Sequence, residues 1–204
     1  MTPAMSFEQI IQTFDAGGRV ALEGFGAGRF DALAAAERER VFDVAAARLP
    51  AGQYDELAMQ ALGKLDLPRA RALLERKLDE APNAVCRAVA LGALLDATGD
   101  ARYEAALIDL LGADDAAVRE KALTYLARVD GSPAVLAAFR RRLLAEEQAG
   151  LRGRLADEIV YRCGLVPRGR VDRVFVAWSE RLAAADRAER ERALHDLAAA
   201  RPAG

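Results

Sequence analysis

The stretch Asn83-Ala-Val-Cys-Arg87-Ala-Val-Ala90-Leu91-Gly-Ala-Leu94 lies without a gap over Asp115-Ala-Ala-Val-Arg119-Glu-Lys-Ala122-Leu123-Thr-Tyr-Leu126. The offset is 32 residues, and Arg meets Arg, Ala meets Ala and both leucines meet leucines. A further 33 residues on, Arg152, Leu155, Ala156 and Ile159 fall in looser register, and upstream Ala61, Leu62 and Leu65 echo the spacing. A period of this length marks supersecondary units that stack on one another. Ala at the centre of such a helix lets its neighbour approach closely, and Leu one and four places later fills the seam between layers. The Asp or Asn at the front caps the helix. The Arg four residues behind it is placed to reach a cap or carbonyl in the adjoining layer. Apolar residues on more than one face of each helix pair leave it no way to hide them alone, so pairs must stack.

The composition agrees. Of 204 residues, 52% are apolar but only 6% aromatic, so the core is built mostly of Ala, Leu and Val. Ala and Leu lead the helix-propensity scale, and the chain reads as all-α. Helical spacing and Pro, Gly, Asp or Asn punctuation place helices over 54–65, 68–80, 83–97, 101–111, 115–129, 133–148, 151–163, 169–184 and 187–200. Connections this short make consecutive helices antiparallel neighbours. Upstream, Ser6 and Gln9 spell a capping box that opens a first helix carrying Phe7, Ile10, Ile11 and Phe14 on one face. Gly17-Gly18 closes it, and helices over 30–36 and 37–49 follow an irregular Gly24–Gly28 segment. That segment's GxGxG spelling lacks the preceding strand a phosphate cradle requires.

Asp114-Asp115-Ala-Ala-Val118-Arg119-x-x-Ala122-Leu123-x-x-Leu126, preceded by Ala106-Leu-Ile-Asp-Leu-Leu111, resembles a HEAT-like repeat of the short bacterial kind, first noted in phycobilisome lyase-type proteins. The likeness is clearest over residues 68–129 and extends over 54–165. It implies an α-α superhelix, a right-handed solenoid of helix pairs. The whole chain then forms one domain, with an irregular N-terminal helical cap over 1–52, HEAT-like repeats over 53–165 and capping helices over 166–204. Such a pattern is a packing rule and does not specify function. No pigment site accompanies it.

The 29 basic and 31 acidic residues give a net charge of -2, without the concentrated basic face of a nucleic-acid binder. Residues 140–173 are the basic end, with acids interspersed. Neither a signal peptide nor a membrane-spanning apolar run is legible, which makes the cytoplasm the expected location. Cys86 and Cys163 have no CxxC neighbour or nearby His, so they read as buried free thiols and not as metal ligands.

No catalytic constellation emerges. His195, the single histidine, has no nucleophile in register. The pairs Asp114-Asp115, Glu146-Glu147 and Asp157-Glu158 cannot converge, because sequence neighbours on a helix point about 100° apart. Asp114-Asp115 reads instead as a turn and an N-cap. The expectation is a non-enzymatic module, without cofactor, metal or small-molecule substrate, that holds a partner protein on the concave face of its inner helices. Glu56, Gln60, Arg87, Arg119, Thr124, Arg128, Arg162 and Trp178 are the candidate contact residues. An immunity-type inhibitor of a bacterial toxin is one concrete form of that role. The competing form is a DNA-binding protein of the alkylated-base glycosylase kind, from which the near-neutral charge departs.

Overall fold

The structure is a computed structural model that describes residues 4–15, 25 and 30–200. Among them are eleven helices and no strand. No helix of the described residues is long and apolar enough to cross a membrane. In chain order the helices are α1 (Phe7–Asp15), α2 (Ala35–Ala47), α3 (Glu56–Gly63), α4 (Pro68–Asp79), α5 (Ala84–Thr98) and α6 (Ala101–Leu110), then α7 (Ala116–Leu126), α8 (Pro133–Ala145), α9 (Ala149–Arg162), α10 (Arg173–Leu182) and α11 (Arg187–Ala199).

The capping chemistry follows the sequence closely. Ser6 N–H donates to Gln9 Oε1 at 2.8 Å and Gln9 N–H to Ser6 Oγ at 3.3 Å, the expected reciprocal box. Asp55, Asn83, Asp100, Asp115, Ser132, Asp172 and Asp186 each accept an N–H of the first turn of the helix that follows. One expected helix is absent. Residues 30–34 form a turn, because Glu37 turns back to accept the Ala34 N–H at 2.8 Å and starts α2 there. Phe30 and Leu33 are buried, and Phe25 stands edge-on between the rings of Phe14 and Phe30. The expected stop at Gly17-Gly18 and the Gly24–Gly28 segment fall outside the described residues, Phe25 excepted.

The chain groups into two compact units, Met1–Arg128 and Val129–Gly204. In the first unit, α5 packs against both α3 and α7, so α3, α5 and α7 form a row. α4 packs against α3 and α5, and α6 against α5 and α7, while α2 adjoins α3 and α1 adjoins α2. The row is drawn tight by glycine. A Cβ at Gly63 would lie 2.6 Å from the Ala93 carbonyl oxygen, and one at Gly92 only 2.1 Å from the Tyr125 ring. Leu57–Gly63 and Ala88–Leu95 are consequently buried on every side, as befits helices apolar all round. Under α4, the Lys77 ammonium is only 1% exposed and donates to the carbonyls of Pro50 at 2.9 Å and Gln53 at 3.4 Å, and to Glu80 at 3.1 Å.

In the second unit each helix packs on the next, α8 on α9, α9 on α10 and α10 on α11, and α11 returns to α8. Tyr161 stacks on Phe175, with ring centroids 4.7 Å apart, and Ser179 Oγ donates to Asp157 at 2.6 Å, joining α9 to α10.

The arginine behind the cap works within its own turn. Arg119 is buried and donates to the carbonyls of Ala113 at 3.0 Å and Asp114 at 2.6 Å, clasping the turn that enters α7. Arg190 repeats this in the second unit, on Ala184 at 2.8 Å and Ala185 at 2.7 Å. It also donates to Leu144 at 3.1 Å, which ties α11 to α8. The surrounding Asp186-x-x-x-Arg190-x-x-Ala193-Leu194-x-x-Leu197 has the spelling of the Asp115–Leu126 stretch, although it lies outside the span 53–165. Arg87 does not join them. It is exposed, and its turn carries Pro82 where the other two carry Asp114 and Ala185.

Candidate functional site

Glu56 opens α3, Asp96 lies near the end of α5, and Lys121 with Tyr125 lies on α7. Their side chains meet across the row. Glu56 accepts from Gln60 Nε2 at 3.2 Å, one helical turn on, and from Lys121 Nζ at 2.5 Å, which joins α3 to α7 past the intervening α5. Arg128 donates to Asp96 at 3.1 Å, and its guanidinium lies 4.9 Å from the Tyr125 ring centroid. Tyr125 is buried against Gly92. Its phenol is pushed well up by burial, with the Glu56 charge adding to the effect. Burial likewise raises the Asp96 carboxyl above the usual carboxylate range, against the pull of Arg128 and Lys64. It lowers the Lys64 ammonium, which Asp96 partly offsets. Low local polarity around Asp96 thus strengthens its pairing with Arg128 and penalises a charge left there without a partner.

Of the residues expected to contact a partner, Glu56, Gln60 and Arg128 belong to this network, Glu56 and Arg128 partly exposed and Gln60 buried. Gln60 is only 6% exposed, because α3 is enclosed by α2, α4 and α5. Arg119 is likewise committed to its turn carbonyls. Thr124 is half-buried on α7 and donates to the Glu120 carbonyl at 2.8 Å. What the row presents outward is a polar stripe running along α7 into the turn after it: Glu120, Lys121, Thr124 and Arg128, at helical spacing and all partly or fully exposed. Lys121, Asp96 and Tyr125 were not legible as members of the network. The one available signal was the spacing of Lys121, Tyr125 and Arg128, four and three residues apart along α7 and the turn that follows it.

Arg162 and Trp178 belong to the second unit. Trp178 is half-buried, with the Arg181 guanidinium 4.7 Å from its ring. Arg162 lines a cleft of about 440 Å³ together with Asp130, Gly131, Ser132, Pro133, Leu136, Tyr161 and Arg168. Gly131, in the left-handed region at φ 71°, turns the chain so that Ser132 caps α8, accepting from the Val135 N–H at 3.3 Å. The opposite wall comes from the end of α9 and the connection to α10. There Glu158 accepts both ends of the Arg168 fork, at 3.0 and 2.7 Å, and lies 3.7 Å from Arg162 Nε. The hydrogen bonds to Glu158 hold the Arg168 guanidinium above its ordinary pKa. The Arg162 guanidinium also lies over the Phe139 ring at 5.1 Å.

Comparison with protein-family models, with curated proteins and with solved structures returned no match. The remaining sequence candidates resolve individually. Cys86 and Cys163 are both free, but only Cys163 is fully buried, since Cys86 sits in the exposed first turn of α5. Burial raises the Cys86 thiol above its ordinary pKa. Asp115 caps α7 as expected, accepting the Ala117 N–H at 2.8 Å. His195 is exposed on α11, and among the described residues no group of three His, Cys, Asp or Glu side chains could hold a metal ion.

Proposed function

We propose that the chain is a HEAT-like repeat protein of the bacterial cytoplasm that binds another protein and performs no chemistry on it. The contact surface is the polar stripe of α7 with the adjoining ends of α3 and α5. The observation that carries this reading is the row α3–α5–α7, in which every second helix packs side by side, the arrangement by which stacked helix pairs build one continuous binding face. Glu56, Lys121, Asp96 and Arg128 fix that face as a lattice of paired charges. Paired charges of both signs select a partner by complementarity and discriminate against mismatched ones. They do not offer the run of free cations that duplex DNA requires, so the glycosylase-like alternative is the weaker reading. Inhibition of a toxin, as an immunity protein does, is one role such a face serves.

Site-specific photocrosslinking tests the reading. A photoreactive residue at Glu120 or Thr124 is expected to capture one partner protein in the native cell. The same residue at Ala72 or Ala105, exposed on α4 and α6, is expected to capture none. The partner should be displaced by excess unlabelled chain. Capture from Ala72 and Ala105 alone, or from no position, overturns the proposal, and so does saturable duplex DNA binding through α7 with a steep salt slope.

A further inference from the structure

The outward side of α10 has no part in the proposed protein-binding face. Among the described residues, the large apolar side chains most open to solvent are Val171, Val174 and Val176, at 68%, 50% and 41%. All three fall in α10 or its lead-in. The inward side of this helix is already occupied. Phe175 and Leu182 are buried, Ser179 is bonded to Asp157, and α10 packs on α9 and α11. Opposite them, Arg173, Val176, Ala177 and Glu180 are all exposed and stand at i, i+3, i+4 and i+7, one stripe of the helix. Valines clustered and rimmed by charges mark a contact surface, whereas valines scattered singly need no explanation.

Charge decides what covers the stripe. Arg173 is the first residue of α10 and Glu180 lies in its last turn. Neither side chain has an ion-pair or hydrogen-bond partner among the described residues. Neighbouring Arg170 and Arg181 are paired, with Asp172 at 3.0 Å and with Asp196. A cation at a helix N-terminus and an anion at its C-terminus each sit on the less favourable end of the helix dipole. Arg173 and Glu180 are equally far from a midpoint between Val176 and Ala177. A second α10 laid antiparallel about a two-fold axis through that midpoint sets each Arg173 against Glu180 of the other copy. Each charge then also lies at the end of the opposite dipole that favours it. Ala177 at the crossing leaves the backbones room to approach, and the valines close around it. A two-fold contact of this kind uses one self-complementary patch on both copies.

We infer that the stripe of α10 is a self-association surface, and that its occupant is the antiparallel α10 of a second copy of this chain. With one 10-residue helix from each side, the contact belongs to the class below about 1,200 Å² that serves transient complexes. The dimer is therefore weak and depends on concentration.

Sedimentation velocity of the full chain tests this, over a range from about 10 μM to about 1 mM that brackets weak affinities. The protein is expected to pass from monomer to dimer across that range. Arg173→Glu sets acid against acid and Glu180→Arg sets base against base, so each should weaken the dimer at least about tenfold. An equimolar mixture of these two variants should associate again, because the acidic stripe of one then faces the basic stripe of the other. The variant carrying both exchanges should likewise recover self-association. Ala177→Lys, which puts a bulky charge on the two-fold axis itself, should abolish the dimer. All three positions are exposed, and circular dichroism checks that each variant keeps its helices. A photoreactive residue at Ala177 is expected to capture a second copy of the chain in the native cell. A chain that stays monomeric to the top of the range overturns the inference, as does a dimer indifferent to Ala177→Lys. So does a mixture of the two charge variants that remains monomeric, or capture at Ala177 of a different protein in place of a second copy.

Discussion

Three glycines inside helices meet three different neighbourhoods, and alanine at each should give a different result. At Gly63 the new Cβ would meet the Ala93 backbone 2.6 Å away, which cannot swing aside. At Gly92 it would meet the Tyr125 ring at 2.1 Å, which can tilt only by disturbing the packing around it. Overpacking costs about 1–3 kcal/mol, and urea denaturation should rank Gly63→Ala as the more damaging of the two. Gly153, in α9, has nothing within 4 Å of a Cβ. There the helix preference of alanine should raise stability by about 0.5–1 kcal/mol. The clasp offers a second contrast. Arg119→Met deprives two turn carbonyls of their donor and should cost about 1–3 kcal/mol, whereas Arg87→Met, on an exposed residue, should stay within about 0.5 kcal/mol. A third prediction concerns alkaline pH. Tyr54 donates to the Lys77 carbonyl, and burial first, then the Cys86 and Glu80 charges, push its phenol from 10.0 up to about 12. Between those values the unfolded chain loses this proton and the folded chain keeps it. The contribution is therefore complete below pH 10 and is lost as pH rises towards 12. The unfolding free energy should fall across that window, and Tyr54→Phe should make the fall shallower.

At the scale of the helix, caps and apolar spacing were legible because they are local. An Asp, Asn or Ser in front of a helical run bonds within three residues of itself, and no distant group changes that. The span 30–36 misled because it has apolar residues at helical spacing, but the buried rings of Phe25 and Phe30 and the Glu37 cap fix a turn there. The network was half legible for a similar reason. Glu56 and Gln60 lie one turn apart on α3, but their union with Lys121 spans 65 residues of sequence and depends on how closely glycine lets the row close. The cleft was less legible still. Arg162 could be named, but Ser132 and Tyr161 face each other only once α8 and α9 have packed. A double-mutant cycle on Glu56→Gln and Lys121→Met checks the bridge between α3 and α7. Each side chain is about one-third exposed, so solvent screening limits the expected coupling to about 0.5–1 kcal/mol.

At the scale of the molecule, each unit has its own buried residues: Leu62, Leu94, Leu123 and Tyr125 in the first, Phe139, Leu143, Leu155 and Leu182 in the second. Trp178 is the single tryptophan, so its fluorescence reports on the second unit alone, while far-ultraviolet circular dichroism reports on both. Arg190→Met should lower the midpoint seen by Trp178 fluorescence, and Gly92→Ala should move the dichroism transition with less effect on fluorescence. Equal shifts in both signals for both variants would instead show a single cooperative transition. The connection between α9 and α10 carries exposed Arg168 and Arg170 outside any helix, at a turn closed by the Arg170 N–H on the Pro167 carbonyl, where a trypsin-like protease can reach the chain. A cut after Arg170 severs α10 and α11 from the covalent chain. It does not sever them from the fold, because α11 lies on α8 and Arg190 still holds the Leu144 carbonyl. The nicked protein should therefore elute from a sizing column as one particle and separate into two fragments only in denaturant.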